Sequence, residues 1–399
     1  MGRFRPTGLL GRIVTATTHE WVDDQATFEA VLDELSRVDR YAIDTEFHRE
    51  RTYFPALALV QIAWGDRIVL VDPLAVDVTA MADLFHSEVE AVFHAAQQDL
   101  DVLTYAVGAV PDHFFDTQLA GGFLGYGTPS LVSLLSAELG VSPAKGDRLT
   151  DWLRRPLTEA QRSYAASDVA HLLEVRDRLV ERLKQRGREA WVAEACAELA
   201  ARNAVRSEPE QAWLRLKDVR SLKPRGRAVA QEVAAWRERR AMALDVPVRQ
   251  VLPDLAVLGV SQRQPRDERE LAQARGVDGR HTKGVVATEL LAAVARGLEN
   301  EPPQPPTGGD ELGRDLRPAV ALVSAWVSQM ARDEAIDTAL LATRADLVSL
   351  LSGDPASRLA SGWRAELLGD GIRSLVEGRA GLTFNGSGGL RLVSVDAVG

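Results

Sequence analysis

Short apolar runs separated by breakers fill the first half of the chain, and longer helical periodicities fill the second. Runs at 41–47, 57–64 and 67–72 are rich in Ile, Val, Leu and Ala and are cut by Pro55 and by Gly65–Asp66. That pattern predicts three strands, and a fourth is expected from Ala91 to Ala95. Helical spacing follows over Leu131 to Leu139, from about Thr158 to Lys184, and through the Ala-rich stretch Trp191 to Ala201. Thr158 with Gln161 three positions on reads as a capping box. Strands first and helices later predict an α/β domain over residues 14–205.

Beyond Arg206 the strand signal stops. Residues 209–298 read as helices broken near Lys223–Pro224, Pro247, Pro253 and Pro265. Glu301 to Gly309 holds four prolines and two glycines, which predicts an extended, exposed linker. Helical spacing returns over 316–378, and the Gly-rich end from Gly381 reads as a loose tail. The two helical stretches share a register: Trp236, Ala241, Val246, Val251 and Val257 recur 90 positions later as Trp326, Ala331, Ile336, Leu341 and Leu347. A diverged duplication accounts for the shared Trp and the sustained register. Two amphipathic helices with a generic apolar spacing are the alternative. The expected partition is a tail at 1–13, the α/β domain at 14–205, a helical domain at 207–297, a linker at 298–315, a second helical domain at 316–378 and a tail at 379–399.

Composition narrows the class. The 399 residues are 46% hydrophobic and 26% charged, as in ordinary globular chains. Cys196 is the only cysteine, which excludes disulfides and cysteine-based zinc sites within one chain. No apolar run approaches the length of a membrane span, and Met1 to Arg12 lacks the apolar core of a signal peptide, so a cytoplasmic protein is expected. The net charge of −10 is uneven: −11 over residues 1–205, +5 over 206–300 and −4 over 301–399. An acidic part beside a basic one suits a metal-binding catalytic segment joined to a substrate-gripping segment.

The chemistry begins at Tyr41-Ala42-Ile43-Asp44-Thr45-Glu46-Phe47. Acids are depleted in strands, yet Asp44 and Glu46 sit two apart in an apolar one and leave the same face. Two hard oxygen donors side by side make a natural Mg²⁺ or Mn²⁺ site; a solvated acidic edge strand is the other reading. Asp99 falls in the first turn of a helix after the fourth strand, and Tyr164 with Asp168 shares one helical face at i, i+4. Either alone reads as a solvated acid.

In this order the residues resemble the tyrosine-type DEDD exonucleases, and specifically the ribonuclease D family. The likeness extends to Arg51-Thr52-Tyr53, Leu59-Val60-Gln61, Val71-Asp72-Pro73, His94-Ala95, Asp116-Thr117-Gln118, Thr150-Asp151-Trp152-Leu153 and Arg155-Pro156-Leu157. It implies a ribonuclease H-like fold, a mixed sheet flanked by helices. Ala235-Trp236-Arg237-Glu238-Arg239-Arg240-Ala241, Val246-Pro247 and Val251-Leu252-Pro253-Asp254 resemble the HRDC domain, a helical nucleic-acid-binding module. Residues 316–378 look like a more diverged second copy.

The resemblance implies a 3′→5′ exoribonuclease that releases nucleoside 5′-monophosphates with two divalent ions, Mg²⁺ or Mn²⁺. Asp44, Glu46 and Asp168 would hold one ion, Asp44 and Asp99 the second, and Tyr164 would orient the attacking water. Candidate substrate contacts are Thr45, Phe47 and His94, the last two equally readable as structural. The basic run Arg215, Lys217, Arg220, Lys223, Arg225 and Arg227 could follow an RNA backbone. The implied substrates are tRNA precursors and other small structured RNAs with a free 3′ hydroxyl; no obligate protein partner is expected. A DNA exonuclease of proofreading or repair type and a non-catalytic nucleic-acid adaptor are the competing readings. A helicase motor is excluded, because no Gly-x-x-x-x-Gly-Lys-Ser/Thr loop is present. A segment ending near Arg206 is expected to fold and to degrade short RNA without the helical part.

Overall fold

The computed structural model describes residues 12–13, 18–142, 150–204, 208–304 and 316–395. Six strands form its main sheet: β1 (Glu20–Val22), β2 (Arg40–His48), β3 (Ala56–Trp64), β4 (Arg67–Val71), β5 (Glu90–Phe93) and β6 (Phe114–Asp116). They lie in the order β1-β4-β3-β2-β5-β6. β2, β3 and β4 are antiparallel neighbours, while β1 joins β4, β5 joins β2 and β6 joins β5 in parallel. The sheet is therefore mixed, as expected. The β3–β4 link is tight because Gly65 takes φ +52°, a backbone state that costs glycine nothing. β1 and β6 escaped prediction: three residues give no alternation to read.

Strand alternation splits the interior in two. Tyr41, Ile43, Val60, Ile62 and Val69 face a core closed by the Gln25–Leu35 and Gln97–Ala106 helices. Ala42, Ala63, Leu70 and Val92 face the opposite core, under the Glu159–Val169 and Leu172–Arg186 helices. The single helix expected from Thr158 to Lys184 is thus two, interrupted at Ala170–His171. The first packs on β2, β3 and β4, the second on β5 and β2, and one straight rod would not follow both. The capping box holds: Thr158 and Gln161 exchange side-chain-to-backbone bonds of 2.8 and 3.2 Å. The helix expected over Leu131 to Leu139 is regular only to Leu134, and Leu135–Leu139 widens into a π-type turn. There Glu138 swings inward to meet Arg182 and Tyr126.

The described parts of both expected tails contain strands, while residues 1–11 and 396–399 lie outside the described residues. Arg12–Ile13 pairs in parallel with Val141–Ser142. Ala380–Phe384 and Leu390–Ser394 form an antiparallel hairpin, although no strand was expected after Arg206. Its Leu382 and Leu392 pack on the adjoining core, and Gln329 accepts from the Leu390 N–H at 2.8 Å. Alternating apolar residues around a Gly-rich turn are a hairpin pattern; glycine content alone was a poor guide to it. Of the linker, residues 305–315 lie outside the described residues, while the Pro303 carbonyl accepts from Arg227 at 3.1 Å.

The helical half contains two modules with a similar order of elements. The first runs through Pro224–Leu244, Val248–Val251, Asp254–Arg263 and Gly284–Glu299, the second through Arg317–Asp333, Thr338–Leu341, Arg344–Leu351 and Gly362–Val376. The offset of 90 extends from side chains to backbone. Val248–Val251 maps onto Thr338–Leu341, and Asp245 and Ala335 both turn left-handed at φ +48° and +49°.

The modules attach differently. The first has its own core, and meets the α/β domain at Tyr53 and Phe54, whose N–H groups donate to Asp245 at 3.0 and 3.1 Å, and where the Tyr53 hydroxyl donates to Glu238 at 2.8 Å. The second continues the core of the α/β domain itself. Trp363 stacks on Trp191 at 4.8 Å and meets Phe123 edge-on at 5.2 Å. Buried Arg364 donates to Glu198 at 2.5 Å, Arg188 to Glu334 at 2.7 Å, and the Asp337 N–H to the Gly122 carbonyl at 2.8 Å. The segment ending near Arg206 is therefore not self-contained. No helix among the described residues is long and apolar enough to cross a membrane.

Candidate active site

Asp44 and Glu46 lie on β2 with Ala42, on the face that meets the Glu159–Val169 helix; Thr45 and Ile43 face the other way. β2 is an interior strand, so a solvated acidic edge does not apply here. β5 pairs only with Arg40, Tyr41 and Ala42, leaving the β5-side flank of the sheet open from Ile43 onward. The acids thus sit in a notch where an interior strand outruns its parallel neighbour. Asp168, near the end of the Glu159–Val169 helix, reaches the same place: carboxylate oxygens of Asp44, Glu46 and Asp168 all lie within 4.8 Å of one another. Asp99 comes from the first turn of the Gln97–Ala106 helix and is buried, with the Thr45 hydroxyl donating to it at 2.5 Å.

The charges here oppose one another. Burial raises the Asp44 pKa well above the carboxylate range, and Asp99, Asp168 and Glu46 raise it further. Burial, then Asp168 and Asp99, push Glu46 up to about 8. Burial lifts Asp99 to about 7 against the Thr45 hydrogen bond. Folding has gathered like charges whose mutual repulsion a divalent cation relieves, and all the donors are hard oxygens; this set fits Mg²⁺ or Mn²⁺.

Asp116 organises the turn that delivers Asp99. One carboxylate oxygen accepts the Ala95, Gln118 and Leu119 N–H groups at 3.0, 2.8 and 3.3 Å, and the other accepts Ala96 N–H at 2.9 Å. These bonds hold Ala95 at φ +62°, a conformation rare outside glycine. In the sequence, Asp116 stands out only as part of the resemblance. The signal available was an acid directly before a helix start, which is common to any N-cap.

The candidate substrate contacts divide. Thr45, expected to touch the nucleotide, is instead buried and committed to Asp99. Phe47 is half-buried against the core beneath the Gln97–Ala106 helix, with the Arg49 guanidinium 5.3 Å from its ring centre. His94 is half-buried with Nδ1 2.9 Å from the Thr117 hydroxyl, which lies 3.0 Å from the Phe93 carbonyl. Burial lowers the His94 pKa, although nearby Asp116 opposes it. In the basic run, Arg215 pairs with Glu238 at 2.6 Å, Arg225 donates to the Leu298 and Asn300 carbonyls, and Arg227 to those of Pro303 and Leu222. These three brace the first module. Lys217, Arg220 and Lys223 remain exposed.

Residues 19–184 match the 3′-5′ exonuclease family, and residues 226–294 match the HRDC domain. The chain is 36% identical over 394 residues to ribonuclease D of Gluconacetobacter diazotrophicus, covering 97% of this chain and 98% of that one. It belongs to the ribonuclease D family. Ribonuclease D of Jannaschia sp. is 38% identical over 356 residues, covering 86% of this chain and 92% of the relative. The crystal structure of Escherichia coli ribonuclease D, described as an exoribonuclease involved in structured RNA processing, superimposes with a TM-score of 0.82 at 27% identity, covering 90% and 99% of the two chains. The first helical module is thus an HRDC domain following a ribonuclease D-type exonuclease domain.

Proposed function

We propose that the chain is a 3′→5′ exoribonuclease that removes nucleoside 5′-monophosphates from RNA 3′ ends, using two divalent cations held by Asp44, Glu46, Asp99 and Asp168. The observation that carries this reading is the convergence of Asp44, Glu46 and Asp168, all half-buried, in one notch of the sheet, with Asp99 charged against them. When bound, the cations supply charge neutralisation at the phosphate, a more acidic attacking water and stabilisation of the departing 3′ oxygen. The protein does the placing. Asp44 is the shared ligand, Glu46 and Asp168 complete one site, and Asp99, fixed by Thr45, serves the other. The sheet and two separate helices set these positions before substrate arrives.

Tyr164 lies one helical turn before Asp168, on the same face. Its ring packs 6.2 Å from that of Trp152. Trp152 is held in turn by Arg155, which donates to the Trp152 carbonyl at 2.6 Å and to Asp72 at 2.6 and 2.7 Å. We assign the Tyr164 hydroxyl to orienting the water, since an ordinary phenol with a pKa near 10 is a weak base at neutral pH. Tyr164→Phe keeps the ring and its packing. It is expected to slow single-turnover hydrolysis by about 10- to 1000-fold with substrate affinity nearly unchanged. Lost affinity with intact turnover would make Tyr164 a binding residue instead.

Of the basic run, Lys217, Arg220 and Lys223, in the stretch leading into the HRDC domain, are the cations left to meet RNA phosphates. The E. coli relative's role in structured RNA processing supports trimming of tRNA precursors and similar small RNAs as the task. Matched 5′-labelled RNA and DNA strands, incubated with Mg²⁺ or with chelator, test the whole reading. RNA should shorten stepwise from its 3′ end only with Mg²⁺. Equal degradation of DNA would favour a repair-type nuclease, and no cleavage of either would favour an adaptor.

A further inference from the structure

Gln61 sits in the middle of β3 and is 0% exposed, yet neither its amide nitrogen nor its amide oxygen has a hydrogen-bond partner. It is the only buried amide among the described residues with both atoms unpartnered. A β-branched or aliphatic residue would fill a central strand position without that cost, and a buried amide left unsatisfied is strongly unfavourable. Its neighbours identify what it faces. In the antiparallel β2–β3 ladder Gln61 is directly opposite Asp44, and directly opposed residues project from the same face with Cβ atoms roughly 4.5–5.5 Å apart. Across the other ladder it meets Leu70. Along its own strand the same-face neighbours are Leu59 and Ala63, both apolar. The polar group adjacent in this lattice is the Asp44 carboxylate.

We propose that Gln61 is a positioning residue for the metal centre, donating its amide N–H to the Asp44 carboxylate when Asp44 holds a cation. This rests on the metal reading above. A carboxylate that serves two ions needs its orientation fixed, and groups holding a ligand from behind typically change metal affinity by about 10- to 100-fold. β3 is well placed to do this, since the ladder locks the Gln61 backbone beside Asp44 and the Glu159–Val169 helix covers both strands.

The test measures Mn²⁺ binding to the full-length protein by calorimetry, together with melting curves in chelator and in Mn²⁺. Gln61→Met keeps the length of the side chain and removes the donor. The expected result is Mn²⁺ affinity lowered at least about 10-fold and a smaller Mn²⁺-induced rise in melting temperature, with the melting temperature in chelator unchanged or higher because the orphan amide is gone. Gln61→Leu serves in the same way should the methionine variant fail to fold. Wild-type affinity in the variant overturns the proposal, as does a fall in metal-free stability with affinity intact, which would make Gln61 a residue of the fold alone. A wild-type protein that itself binds no Mn²⁺ would sink the metal reading first, so the two failures are told apart.

Discussion

Asp44→Asn should abolish hydrolysis while leaving the metal-free fold as stable as before, or more so. The two effects have one cause. Asp44 stands among Asp99, Asp168 and Glu46, and burial with their charges raises its pKa. A neutral amide relieves that repulsion in the empty site, so the melting temperature in chelator should hold or rise. With Mg²⁺ present the same change removes the ligand common to both proposed ions. Loss of several kcal/mol of transition-state stabilisation corresponds to about 10³-fold or more in single-turnover rate. Asp168→Asn should behave alike, because its carboxylate closes the same three-acid cluster. Rates and melting curves on one preparation decide the matter: a near-normal rate removes Asp44 from the metal centre, and a large drop in metal-free stability gives it a structural role instead.

The acids were legible because their residue types conflict with their surroundings. Asp44 and Glu46 are polar in an otherwise apolar strand, and the two-residue period alone put them on one face. The sheet followed from β2, β3 and β4, whose apolar runs of five to nine residues are long enough to show a pattern. What stayed hidden depends on long-range partners. Thr45 could point toward a nucleotide or toward Asp99, 54 positions away, and a strand period cannot choose between such targets. Asp116 resembled any helix cap until its second oxygen was found on Ala96. The basic run overstated the side chains free to bind for the same reason, since Arg215 pairs with Glu238 while Arg225 and Arg227 donate to carbonyls of the module and the linker, as far as 76 positions along the chain. The domain boundary near Arg206 was set by where the strand signal ended, which says nothing about which surfaces are buried.

That boundary leads to the second large effect. A chain ending at Arg206 keeps Asp44, Glu46, Asp99, Tyr164 and Asp168, yet it is expected to lose its stable fold. Removing residues 316–395 takes away Trp363 from between Trp191 and Phe123, together with Val323, Val327 and Leu368 from a core that also contains Leu134, Leu172 and Leu179. It leaves Glu198 without Arg364 and Arg188, itself buried, without Glu334. Re-exposing large apolar side chains costs roughly 1.5–3 kcal/mol each. Uncovering Trp191, Phe123 and their neighbours therefore approaches a typical domain stability of about 5–15 kcal/mol. Replacing residues 208–304 by a flexible linker is the informative contrast. It removes the HRDC domain and the stretch before it, whose core is separate and which meets the catalytic part at Tyr53 and Phe54 among the described residues, and it keeps the shared core whole. Melting curves should show a cooperative transition for the linker variant and none, or one lowered by tens of degrees, for the truncation. The linker variant should also cleave short RNA while binding a tRNA precursor with a shallower salt dependence, having lost Lys217, Arg220 and Lys223. A truncation at Arg206 that melts like the full chain would show that the second helical module rests on the catalytic domain without supporting it.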